Sequence, residues 1–237
     1  MAEKRKVVVT GLGLATPLGL DVETNWQKAL AGESGISRLS YPDSEKSPVQ
    51  AVGEIKEKDL KKIRVAFQDI ISEEGEKRTL FALWAAKSAL NDAGVNHKKK
   101  YRTRFGVAFA AGLGINRLED VHGYMNENGK FDFLKFGKEY KKIHQESIIR
   151  NNSNHASALI AMKLHLNGPN YTITSACASA TQAIGSAYKT IRRGEADLMV
   201  AGGADSMINP VGLVFFVLLQ AACVTSSSPK ECCRPFD

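Results

Sequence analysis

The stretch from residue 171 to residue 204 constrains the fold most. A β-branched run at 171–175 leads into a helix-patterned segment at 178–193, and an apolar run at 198–201 follows before Gly202 and Gly203. The same alternation appears upstream. Residues 7–10 read as a β-branched strand, the glycine-rich stretch 11–19 as a turn, and the segment carrying Trp26, Ala29 and Leu30 as a helix that Asp21 or Thr24 can cap. Residues 79–93 have the spacing of an amphipathic helix stopped by Gly94, residues 105–111 read as a buried strand, and residues 153–166 as a further helix. Strands alternating with helices specify an α/β fold with a largely parallel sheet.

Three stretches interrupt this pattern. Residues 32–48, rich in Gly, Ser and Pro, and the charged segment 56–63 form a surface excursion. Residues 116–145 are polar and basic but hold Tyr124, Phe131, Phe133, Phe136 and Tyr140, which predicts an insertion of helices and loops. The end of the chain is irregular: an apolar run at 213–223, a polar stretch at 225–229 and the pair Cys232-Cys233, with no closing helix or strand expected. No internal repeat at 20 to 50 residues is visible.

With 237 residues, 43% of them hydrophobic and 24% charged, the chain can bury a substantial core, and wholesale disorder is excluded. No apolar run approaches the roughly 18 residues needed to cross a bilayer, and no signal-peptide pattern opens the chain. The four cysteines form neither a disulfide framework nor paired metal knuckles, so a reducing, cytoplasmic setting without a metal site is expected. The net charge of +7 favours an acidic partner. Basic clusters occur at Lys61, Lys62 and Arg64, at Lys77 and Arg78, at residues 98–104, at Lys138, Lys141 and Lys142, and at Arg192 and Arg193. Aromatic residues do not interleave with them, which argues against a nucleic-acid platform.

Two motifs carry candidate chemistry. Gly11-x-Gly13 sits where a dinucleotide fingerprint would, but Thr16 occupies the third glycine position and no acidic residue follows a second strand, so a tight turn is the preferred reading and no cofactor is expected. The second is 174–180, Thr-Ser-Ala-Cys-Ala-Ser-Ala, which puts Cys177 between a strand and a helix with small neighbours. Backbone N–H groups and the positive end of the helix dipole favour a thiolate there. Inert packing of Cys177 is an equally good reading of the geometry alone. A cysteine nucleophile also needs a base. None of His97, His122, His144, His155 and His165 is an obvious partner, and His155 and His165 suit a packed helix.

The motifs at 7–13 and 17–19, at 168–169 and 174–185, at 194–197 and 201–205, and the closing Arg234-Pro235-Phe236-Asp237 together resemble the elongating β-ketoacyl-[acyl carrier protein] synthases of fatty acid and polyketide synthesis. The resemblance runs in order from about residue 6 to residue 212 and is weakest at 116–145. It implies a thiolase-like fold in which this chain, residues 1–237, is the first half of a five-layered αβαβα sandwich. It implies further that Cys177 accepts the acyl group from acyl carrier protein, that decarboxylation of malonyl carrier protein then drives condensation, and that the Cys177 N–H is one of two oxyanion donors. By position, Lys77 and Arg78 fall where the family presents basic carrier-protein docking residues. Members of the family are homodimers.

Family members carry the catalytic histidines, a supporting lysine and the second oxyanion donor after the Arg-Pro-Phe-Asp motif, so the chain by itself is expected not to condense. Two alternatives stay open. One is a non-catalytic partner of the chain-length-factor type, against which the retained Cys177 counts. The other is an α/β binding protein for acidic partners in which Cys177 is merely packed.

Overall fold

The computed structural model describes residues 5–41, 43–69, 77–95, 103–112, 122–143, 151–224 and 228–234. In chain order the helices are α1 (Val22–Leu30), α2 (Glu57–Ala66), α3 (Lys77–Asp92), α4 (Phe133–Glu139), α5 (His155–Lys163), α6 (Ser179–Arg192) and α7 (Pro210–Leu218). The strands are β1 (Ser37–Arg38), β2 (Ala51–Val52), β3 (Phe105–Ala111), β4 (Asn170–Ile173) and β5 (Leu198–Ala204). The antiparallel pair β1–β2 stands apart from a three-stranded parallel sheet of order β4-β3-β5.

Side-chain size along β3 orders the layers. Phe105, Val107 and Phe109 join Leu80, Leu83 and Ile160 in the main core, so this face carries α3 and α5. The alternate residues Gly106, Ala108 and Ala110 are small, and α6 turns an equally small face, Ser179, Ala183, Ala187 and Thr190, into the protein. Successive side chains of a strand point to opposite faces, so the pattern large-small-large dictates a thick layer on one side and a close helix on the other. Gly203 shows how close. A Cβ there would stand 2.9 Å from the Ala110 Cβ and 3.1 Å from the Ala180 Cβ. Strand β5 therefore runs through Gly202 and Gly203 to Ala204 instead of stopping before them as expected, because the missing side chains admit α6.

The first expected strand is corrected. Among the described residues none forms a ladder with residues 7–10, and Val8 and Val9 are exposed. The segment lies across an open groove of about 320 Å³ from β5, with Ala89 and Ala93 of the α3 side and Ile184 and Tyr188 of α6 on its walls. What holds it is α3. A Cβ on Gly11 would fall 2.2 Å from the Ala89 oxygen and one on Gly13 2.0 Å from the Ala85 oxygen, while the Leu12 N–H donates to Asp92 Oδ2 at 2.8 Å. The tight turn comes later, where Thr16 and Gly19 exchange backbone hydrogen bonds of 2.9 and 3.1 Å. The two glycines thus serve a close approach rather than the turn expected of them.

The remaining helices follow local chemistry. Asp21 caps α1 by accepting from the Thr24 N–H at 2.7 Å, and Gly94, at φ +61°, closes α3 as expected. Helix α7 departs from the irregular end expected of the chain, and Asn209 and Pro210 explain it: Asn209 Oδ1 accepts from the Gly212 N–H at 2.9 Å and proline occupies the first turn. A second, smaller core of Leu39, Val49 and Val52 packs against Leu213 and Val217 of α7. Within 116–145, the described residues 122–143 hold α4, a 3-10 turn at Tyr140–Lys142 and an aromatic cluster of Tyr124, Phe131, Phe133 and Phe136.

Candidate active site

All three parallel strands end on the same side of the sheet, and Cys177 lies there, four residues beyond the end of β4 and two before α6. Four contacts fix its turn. Thr174 Oγ1 donates to the Ala111 carbonyl at 3.3 Å, which ties the exit of β4 to the end of β3. Ser179, buried at the first position of α6, accepts from the Ser175 N–H at 2.6 Å and donates to the Ala176 carbonyl at 2.7 Å. Ser175 Oγ donates to Gln182 Oε1 at 2.6 Å. Between these clamps Ala176 adopts φ +51°, a left-handed conformation that costs a residue with a Cβ on the order of 1 kcal/mol.

That backbone reversal has a chemical effect. Residues 176–178 form a 3-10 turn instead of the first turn of α6, and the chain lifts Cys177 to the surface, where it is a free, exposed thiol. Inert burial, the bland reading of this cysteine, is not what the structure shows. Among the described residues nothing hydrogen-bonds the Cys177 side chain.

Below the turn, β4 is held from both faces. Thr172 Oγ1 shares a hydrogen bond of 2.7 Å with Ser157 Oγ of α5, and Tyr171 OH shares one of 2.9 Å with Thr190 Oγ1 of α6. The end of β3 is held too: the Gly112 carbonyl accepts from Arg78 at 3.1 Å and from Ser153 Oγ at 3.1 Å. The cysteine turn therefore stands on a rigid base.

Arg78 requires a correction. Its side chain is 0% exposed, enclosed between α3 and the end of β3, and a guanidinium in that position cannot offer itself to a docking protein. The signal was available in the sequence, since Arg78 lies four residues before Ala82 and eight before Ala86, on a face of α3 that is otherwise apolar. Lys77 is half-buried, with its ammonium 5.6 Å from the centre of the Tyr41 ring. Of the other basic residues, Lys62 and Arg64 pair with Asp59 and Glu57 within α2, and Arg193 pairs with Glu195. Residues 98–102, His97 and His144 lie outside the described residues. His122 and His165 are exposed and His155 opens α5. No group of His, Cys, Asp and Glu able to hold a metal ion occurs among the described residues, and none of their helices is long and apolar enough to cross a membrane. Sequence reasoning missed Ser175, Ser179 and Gln182 as the clamps of the cysteine turn, although serines flanking a helix start are its usual signal.

Fold and site together define an α/β protein that presents one cysteine on a strand–turn–helix at the carboxyl ends of parallel strands. The profile described as Beta-ketoacyl synthase, N-terminal domain, matches residues 4–237, and the chain belongs to that family. It is 34% identical to the chloroplastic 3-oxoacyl-[acyl-carrier-protein] synthase II of Arabidopsis thaliana, over 99% of this chain and 42% of that protein. It is also 34% identical to the putative mitochondrial 3-oxoacyl-[acyl-carrier-protein] synthase of Schizosaccharomyces pombe, over 98% of this chain and 54% of that one. The chain spans about half the length of the curated relatives it matches.

Among solved structures, a type II polyketide ketosynthase in complex with its acyl-carrier protein and bound to the hexaketide superposes with TM-score 0.74 at 26% identity, over 96% of this chain and 52% of that one. A β-ketoacyl synthase from Burkholderia phymatum matches with TM-score 0.74 at 24% identity, over 99% of this chain and 55% of that one. The fold is thiolase-like, as expected.

Proposed function

We propose that this chain is the amino-terminal half of a carrier-protein-dependent β-ketoacyl synthase of fatty acid synthesis and that Cys177 is its acyl acceptor. The observation that carries this is the exposed Cys177 thiol, lifted out of α6 by the left-handed Ala176. The thiolate attacks the acyl thioester carbonyl, the carrier's thiol leaves, and the acyl group remains on the Cys177 sulfur. The Cys177 N–H donates to the oxyanion, an interaction worth about 3 kcal/mol in such sites. Condensation with a malonyl carrier is assigned to a longer protein, with the second half that relatives possess. Acyl carrier protein is the partner, consistent with the +7 charge and with the ketosynthase complex similar to this chain; Lys77 is the one residue of the original docking pair that the proposal retains. A chain-length-factor role is disfavoured by the presence of Cys177.

The test is intact mass with peptide mapping after incubation with long-chain acyl carrier protein. An acyl adduct on Cys177, lost in Cys177→Ala, is expected; a folded chain that stays unmodified overturns the acceptor role. We propose a homodimer as well, which a monomeric mass by light scattering at micromolar concentration would contradict. A cytoplasmic location is proposed too, and recovery of the protein in an organelle fraction would refute it.

A further inference from the structure

One peptide group links Ser179 to the chemistry of Cys177. Ser179 is 5% exposed at the start of α6, and its hydroxyl accepts from the Ser175 N–H at 2.6 Å while donating to the Ala176 carbonyl at 2.7 Å. The Ser179 N–H donates to the same carbonyl. That carbonyl belongs to the peptide unit whose other end is the Cys177 N–H. In a planar trans peptide the C=O and the N–H point in opposite directions, so whatever fixes the first aims the second. Tying the Ala176 oxygen to buried Ser179 therefore turns the Cys177 N–H away from it, and among the described residues that N–H meets no acceptor. Hydrogen bonding at the oxygen also polarises the unit and strengthens its N–H as a donor.

We propose that Ser179 is a positioning residue for acyl transfer, holding the Ala176–Cys177 peptide so that the Cys177 N–H faces the oxyanion. The inference rests on the reading of Cys177 as acyl acceptor. When the thiolate adds to the thioester carbonyl, negative charge gathers on the carbonyl oxygen, and a donor already aimed at that place needs no reorganisation to meet it. Ser179 acts through the backbone alone, because its one hydroxyl proton is committed to the Ala176 carbonyl.

The experiment compares two reactions at Cys177 of the full chain, each followed by intact mass with peptide mapping. Acyl transfer from long-chain acyl carrier protein passes through an oxyanion, whereas alkylation by iodoacetamide displaces iodide and forms none. Ser179→Ala is expected to slow acylation by about tenfold and to leave alkylation and its pH profile within about twofold of the unsubstituted chain. Ser179→Thr, which keeps the hydroxyl, is expected to recover most of the loss. Unchanged acylation in Ser179→Ala would overturn the proposal, as would a Ser179→Thr chain no faster than Ser179→Ala. A change in alkylation as large as that in acylation, an unfolded variant by circular dichroism included, would overturn it too, since it would mark a structural role only. An unsubstituted chain that is alkylated at Cys177 but takes no acyl group would instead remove the acceptor reading, and the proposal with it.

Discussion

Arg78 and Gly13 show how much a single side chain, or its absence, settles. Replacing Arg78 by alanine removes a buried volume and one of the two donors to the Gly112 carbonyl. A loss of about 3 kcal/mol of stability is expected, read from urea unfolding. Weakened carrier-protein binding with unchanged stability would instead return Arg78 to a docking role. Gly13→Ala places a Cβ within 2.0 Å of the Ala85 oxygen and 2.7 Å of the Ala89 N, both in the backbone of α3. The backbone of a helix cannot yield, so the segment around residue 13 must lift off, at a cost of about 2 kcal/mol. An unchanged unfolding midpoint would show that the segment does not depend on this approach.

At the scale of elements, α6 is the piece that positions the site, and its two faces differ in what they tolerate. Ala187 is buried on the sheet, and Ala187→Leu is expected to cost about 2 kcal/mol by overpacking. Tyr188, one residue on and 43% exposed, lines the open groove instead of the sheet contact, and Tyr188→Ala is expected to cost about 1 kcal/mol, less than Ala187→Leu. Thermal melts of both variants test the assignment; equal losses would mean that the helix is turned differently. The sequence marked this helix to within a residue at each end, because glycines and small residues bound it. Its rotation has no local mark, since Ala180 reads as small and neutral until Ala110 and Gly203 stand opposite. The run at 7–10 shows the reverse case: valines have strand propensity, but a strand exists only where a partner edge accepts its hydrogen bonds.

For the whole molecule, Asp197 joins distant segments. It accepts from Arg104 Nε at 2.6 Å and from Arg5 at 2.9 Å, and Arg104 also donates to the Gly194 carbonyl at 2.8 Å. The Arg104 hydrogen bond, more than that of Arg5, lowers the Asp197 carboxyl from 3.8 to about 2. A depressed carboxyl contributes stability above its unfolded value, and that contribution fades as the pH falls from about 4 through about 2. Partial exposure keeps it modest. Asp197→Asn is expected to flatten this part of the stability–pH curve, and a parallel, merely shifted curve would show that other carboxylates dominate. The surface carries a second molecular property. Val8, Val9 and Ile184 are exposed around one groove, and Val214, Leu218 and Leu219 on and after α7, so a dye that fluoresces on apolar surfaces is expected to bind the folded chain. A chain that leaves the dye dark would have these faces covered in solution.

The sequence by itself determined the alternation of helices and strands from α3 through β5, the parallel sheet, and the placing of Cys177 between a strand and a helix, because periodicity and glycine placement are local properties of the chain. Tertiary structure alone decided that Ala176 turns left-handed, that Ser179 and Gln182 hold that turn, and that Arg78 is interior. Those outcomes depend on which surfaces come together, and a contact between residues distant in sequence has no local signature.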